Sequence, residues 1–135
     1  MNWSMDDAGK LLLRLLVGVL LLLHGFHKVI TGPGEVASML AAHGVPGFLA
    51  FGVYLGEVVG PVLIILGVYT RIGALLVVAN MLVAVAVTHG LNVMHLNEYG
   101  GWSIELELFY GVGGLCVALL GAGAYSAAGK GGKFN

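Results

Sequence analysis

The stretch "LLLRLLVGVLLLLHGFHK", Leu11 to Lys28, decides how the rest of the chain is read. A bilayer core about 30 Å thick needs roughly 20 helical residues per crossing, and this run with the residues up to Ile30 supplies them. Lys10 and Arg14 ahead of an apolar run imitate a signal peptide. However, the run is longer than an ordinary signal core, and the "HGFHKVITGPGE" that follows offers no small-x-small cleavage site, so the segment is read as a retained first span. Arg14 near one end and His24, His27 and Lys28 near the other then need an explanation.

Composition supports the membrane reading. The 135 residues are 59% hydrophobic and 10% charged, and the mean hydropathy is +0.97, far from a soluble domain. Residues 1–135 therefore form a single membrane domain. A net charge of −1 with no basic stripe excludes nucleic acid as a partner. The single cysteine, Cys116, excludes an intramolecular disulfide, a CxxC redox pair, covalently attached c-type haem and a cysteine-ligated iron–sulfur cluster. Electrons, if any are handled, must pass through something bound or through another chain.

Outward from the first stretch, three further segments have the length and apolarity of a crossing. The expected spans are Leu11–Ile30, Phe48–Val68, Ile72–Leu91 and Trp102–Ala122, separated by "TGPGE" and "HGVPG", by "YTR", and by "NVMHLNEYGG". A short interfacial helix is expected over Ala37–His43. Four crossings place Lys10, Arg14, Arg71, Lys130 and Lys133 on one side against Lys28 on the other, so the positive-inside rule puts both termini in the cytoplasm. Gly52, Gly56 and Gly60 in the second span, and Gly111, Gly114, Ala118 and Gly121 in the fourth, form small-residue stripes that let helix backbones approach in lipid. The expected fold is all-α: an integral membrane four-helix bundle of up-down topology.

Ionisable side chains in a bilayer are costly and usually face a bundle interior or a wet cavity. At about 1.5 Å per residue, His24 lies about 9 Å from the outer end of its span, Glu57 about 13 Å, Glu105 about 5 Å, and Lys28 and His89 about 3 Å. All four spans thus carry a titratable group in the outer half. His24 and Lys28 are i,i+4 neighbours, with Glu57 the natural counter-charge. A purely structural Glu57–Lys28 pair accounts for two of these residues and leaves His24, His89 and Glu105 unexplained. Arg14 is expected to snorkel to the headgroups. Asn80 is expected to bond across the bundle. Glu105 and Glu107 lie about 160° apart around a helix and cannot share one cavity, so Glu107 is expected to meet a partner helix or a second copy.

These segments and their order resemble the DoxX family of small bacterial membrane proteins over nearly the whole chain. The resemblance is carried by HGxxK at His24, Gly25 and Lys28, by E-x-x-G-x-x-L at Glu57, Gly60 and Leu63, by Thr70–Arg71, by His89, and by the glutamate opening the last span, aligned with Glu105. It departs from the family at "AYSAAGK", where an arginine commonly precedes the tyrosine and an aspartate follows the serine. The resemblance implies a respiratory or redox-defence role in the bacterial inner membrane, with relatives acting as a membrane subunit of thiosulfate:quinone oxidoreductase.

Three functions are consistent with these residues. The first is a quinone-linked subunit, with the quinone held at His24, Lys28 and Glu57, His24 and Lys28 donating to a carbonyl and Glu57 with His89 or Glu105 relaying protons from the outer surface. The second is a membrane anchor or assembly subunit for a partner oxidoreductase, or a homo-oligomer, in which the polar cluster only fixes the bundle. The third is copper, zinc or haem ligation through His24 and His89. A dedicated transporter is disfavoured by the lack of an inverted repeat.

Overall fold

The computed structural model of the protein describes residues 4–135. Among these the chain is all-helical: α1 Met5–Thr31, α2 Gly34–Ala42, α3 Gly47–Leu66, α4 Thr70–Thr88 and α5 Glu105–Leu120. The one strand-like feature is an isolated bridge between Leu96 and Trp102. Helices α1, α3 and α4 are each long and apolar enough to cross a membrane. Large apolar side chains such as Leu12, Leu23, Leu82 and Leu119 point outward, as a hydrocarbon solvent allows.

The start of α1 is fixed by Ser4, whose hydroxyl accepts from the Asp7 N–H, and by Asp6 and Asp7 in the first turn, which complement the helix dipole. Helix α2 begins three residues before the expected interfacial helix. Helix α3 is not uniform. It opens as a 3₁₀ segment over Gly47–Gly52, widens to a π-helical stretch over Leu55–Val59, and finishes as α-helix over Gly60–Leu66. The widening has a cause in the sequence: Pro61 has no N–H to return to the Glu57 carbonyl, and the Gly60 N–H reaches back five residues to Leu55.

The start of α1, the end of α3, the start of α4 and the end of α5 meet at one end of the molecule. Arg14 joins three of them. Its guanidinium donates to the carbonyls of Ile64, Ile65, Ala122 and Tyr125, each at 2.8 Å. Arg14 is only 1% exposed, which corrects the expectation that it snorkels to headgroups. The reason is electrostatic: the last carbonyls of a helix have no internal donor and carry partial negative charge, and a planar guanidinium satisfies several at once. Arg71 caps the end of α5 in the same way, donating to Ala118 and Leu119. Asp7 accepts from the Ala124 N–H and pairs with Lys130 at 2.9 Å, which ties the tail to α1.

Helix α5 covers 16 residues, about 24 Å, and is shorter than the expected span over Trp102–Ala122. Before it, Asn97 accepts from the N–H groups of Tyr99 and Gly101, and the Trp102 indole donates to Val93, so residues 97–103 are committed to a folded loop. After it, Gly121 takes φ 77°, a left-handed turn open to glycine and strained for other residues.

The core is formed by Val17 and Leu21 of α1, Ile64 of α3, Ala74, Val77 and Met81 of α4, and Tyr110 and Val117 of α5. Close approaches go through glycine, though only partly along the expected stripes. Gly56 lies on Asn80, Gly60 on the Gly73 carbonyl and Gly114 on Val77, whereas Gly52 faces open space and Gly121 lies beyond its helix. The tightest contact of this kind was not anticipated from the sequence: Gly25 of α1 lies directly on the Glu57 carbonyl.

Candidate functional site

At the other end of the molecule, α1, α2, α3, α4 and α5 enclose a cavity of about 600 Å³, a size usual for small-molecule sites. Most of its wall is aliphatic. The polar groups on it are His24, Lys28, Glu35, Glu57, Asn80, Thr88, Glu107 and Tyr110.

Glu57 is the focus. The π-helical stretch carries it, and it is 5% exposed. Lys28 Nζ sits 2.6 Å from both carboxylate oxygens, and Asn80 Nδ2 donates to Oε1 at 3.3 Å. Three helices therefore converge on one carboxylate. Gly25 makes this possible, because only a residue without Cβ lets α1 come near enough for Lys28, one turn further on, to reach Glu57. Tyr54 on α3 donates to the Lys28 carbonyl at 3.0 Å and so holds the end of α1.

His24 lies one turn before Lys28 and is exposed, its ring edge-on to Tyr110 with centroids 5.8 Å apart. His24, Lys28 and Glu57 thus share one cavity, as the sequence predicts. His89 and Glu105 do not line it. His89 sits 3.6 Å from Glu107, and it is Glu107 that reaches the cavity wall. Glu105 is exposed at the first turn of α5, with its carboxylate folded over Gly101. Of the two α5 glutamates, the cavity residue is therefore Glu107, which corrects the expectation that Glu105 faces the cavity and Glu107 points away from it; Glu107 meets His89, the residue that caps α4. The shift follows from α5 starting only at Glu105, which leaves that residue at the first position of the helix, beside the folded loop. Tyr110 was missed because one aromatic in an apolar span carries no signal of its own; its i,i+3 spacing from Glu107 was the available hint.

Among the described residues, no three His, Cys, Asp or Glu side chains gather in a way that could hold a metal ion. His27 and His95 are exposed and lie off the cavity wall.

The fold and cavity define an all-helical membrane protein with a polar focus inside an apolar chamber. The chain belongs to the DoxX family, whose model matches residues 9–90. It is similar to "Inner membrane protein YqjF" of Escherichia coli strain K12, at 32% identity over 123 residues that cover 91% of this chain and 92% of that one. It is also similar to "Putative oxidoreductase CatD" of Bacillus subtilis strain 168, at 32% identity over 85 residues, 63% of this chain and 62% of that protein. No solved structure matches. The family match takes in Lys28, Glu57 and Asn80, whereas Glu107 and Tyr110 lie beyond it.

Proposed function

We propose that this chain is a quinone-binding membrane subunit of a respiratory or redox-defence system in the bacterial inner membrane, folded as a four-helix up-down bundle with both termini cytoplasmic. The observation that carries this reading is the cavity wall: a large aliphatic surface with charged and hydrogen-bonding side chains drawn to one region, the complement of a flat apolar ring bearing polar carbonyls. The name of the Bacillus subtilis relative supports the redox half of the reading.

The residues fit such a ligand. A quinone, when bound, supplies reversible two-electron, two-proton chemistry. Lys28 and His24 hold N–H donors at the chamber wall, and Tyr110 adds a phenol beside His24. Glu57 holds the Lys28 ammonium in place through both carboxylate oxygens, and Asn80 fixes the carboxylate in turn. Glu107 with His89 gives the chamber a proton-carrying pair at the end of the molecule away from Arg14, and takes the relay role expected of Glu105. Electrons then enter or leave through a partner oxidoreductase or another bound group.

A second reading is favoured by one specific feature. Both Glu57 oxygens are already satisfied within the protein, by Lys28 and Asn80, as a purely structural pair would be. In that case the chain is a non-catalytic membrane anchor. Mass spectrometry of lipid-soluble material released from gently purified protein separates the two. Quinone retained by the wild type and lost from a folded His24→Ala/Glu57→Gln variant supports the ligand site. Its absence from both, with no thermal stabilisation on adding quinone, favours the anchor.

A further inference from the structure

A second cavity of about 540 Å³ lies between α1 and α5, walled by Leu13, Val17 and Leu20 on one side and Phe109, Val112 and Cys116 on the other. It meets the polar chamber: Leu106 and Tyr110 belong to the walls of both. Along α1 the two follow one another on successive turns, with Lys28 and His24 in the chamber and then Leu20, Val17 and Leu13 in the groove, which extends about 10 Å from Leu20 to Leu13. Its floor is a tight helix contact, since a Cβ on Gly113 would come within 2.8 Å of Val17 Cγ2. Its mouth lies between exposed apolar residues, among them Phe109 at 75% and Val112 at 53%. Apart from the shared Tyr110 and the thiol of Cys116, nothing in the groove titrates or bonds strongly.

We propose that the α1–α5 groove receives the hydrocarbon tail of the same molecule whose polar ring occupies the chamber, with the Tyr110 ring at the junction. The site then selects tailed amphiphilic quinones over tail-less ones and admits them sideways from the bilayer. What identifies the occupant is adjacency: the groove shares Leu106 and Tyr110 with a chamber that holds Lys28, Glu57 and Glu107, and it runs away from those charges along one helix face. This proposal rests on the quinone reading above and adds to it where the tail lies.

The test uses the full chain in lipid nanodiscs and a decyl-tailed dimethoxy-methyl-benzoquinone carrying a diazirine at the tail end, with cross-links mapped by mass spectrometry. The expected adducts fall on residues 13–20 and 109–116, disappear with excess unlabelled decyl quinone, and fall at least tenfold in Val112→Trp, which fills the groove from its lipid-facing side. Val112→Trp should also weaken decyl-quinone binding at least tenfold while leaving the affinity for the tail-less ring unchanged. If the tail-less ring stabilises the protein in a Lys28-dependent way but adducts scatter over Leu23, Leu75 and Leu119, the groove assignment is wrong and the ring site stands. If neither quinone binds, both fail. If the groove yields no adducts and Cys116 instead cross-links to a second copy of the chain, the groove is a dimer contact and the tail assignment is overturned.

Discussion

Lys28 Nζ lies 2.6 Å from both carboxylate oxygens of Glu57, a residue 29 positions later on another helix, with side-chain exposures of 28% and 6%. Removing one partner strands the other charge in an apolar surrounding, whereas removing both strands neither. Lys28→Met or Glu57→Gln alone should therefore destabilise by about 3 kcal/mol, the lower end for buried pairs because Lys28 is partly exposed. The Lys28→Met/Glu57→Gln double variant should recover at least half of that. Thermal or denaturant unfolding in one detergent gives the full cycle; additive losses would mean that the pair does not interact.

Gly25 is the geometric condition for that pair. A methyl group there runs into backbone, the Glu57 carbonyl, which cannot swing aside as a side chain can. Gly25→Ala should cost about 3 kcal/mol, the upper end for overpacking, whereas Gly52→Ala, with nothing within 4 Å, should be neutral or slightly stabilising. Comparing the two melting temperatures checks the asymmetry.

Arg14 serves four carbonyls from inside the protein. A lysine has three donors on a point charge and cannot reproduce the fork, so Arg14→Lys should cost about 2 kcal/mol or more. The half-buried Arg71 should tolerate the same change better. Protein abundance in the membrane and unfolding in detergent both report the difference.

Glu105 and Glu107 should separate in any binding assay. Glu105→Gln, exposed and off the cavity wall, should change stability by less than about 0.5 kcal/mol and leave quinone binding intact. Glu107→Gln should weaken quinone binding at least severalfold, because it removes a carboxylate from the chamber wall and with it the partner of His89. The reverse ranking would restore the assignment made from the sequence.

The tail latch adds a pH dependence at the alkaline end. Lys130, paired with the Asp7 carboxylate, has its pKa raised above the ordinary lysine value by that hydrogen bond. A raised folded-state pKa gives stability that is whole below the unfolded value of about 10.4 and is lost as pH climbs through the folded value. The melting temperature of wild type relative to Lys130→Met should therefore be higher at neutral pH and converge with it above that range. A gap that widens with pH would have the wrong sign for this latch.

How much of this could be read without coordinates differs from residue to residue. His24, Lys28 and Glu57 were legible as one cluster because their helical spacing and depth follow from a fixed rise per residue, and helices in lipid have few alternatives. Glu105 was chosen over Glu107 because the start of α5 depends on Asn97 and Trp102 folding the preceding loop, and helix-length arithmetic does not encode that. Arg14 was misread for a similar reason: a basic residue near a span end looks the same in sequence whether it reaches the headgroups or the open carbonyls at the end of α3 and in the tail after α5.

Sequence alone determined that this is a helical membrane protein with polar groups gathered near one end, since a hydrocarbon solvent forces backbone groups to bond within helices and makes every embedded charge conspicuous. The tertiary structure decided which charges meet: glycine contacts at Gly25, Gly56 and Gly60 set how close the helices come, and the π-helical turn before Pro61 carries Glu57 to Lys28 and Asn80. Those distances depend on packing between segments far apart in the chain, which no local pattern of residues specifies.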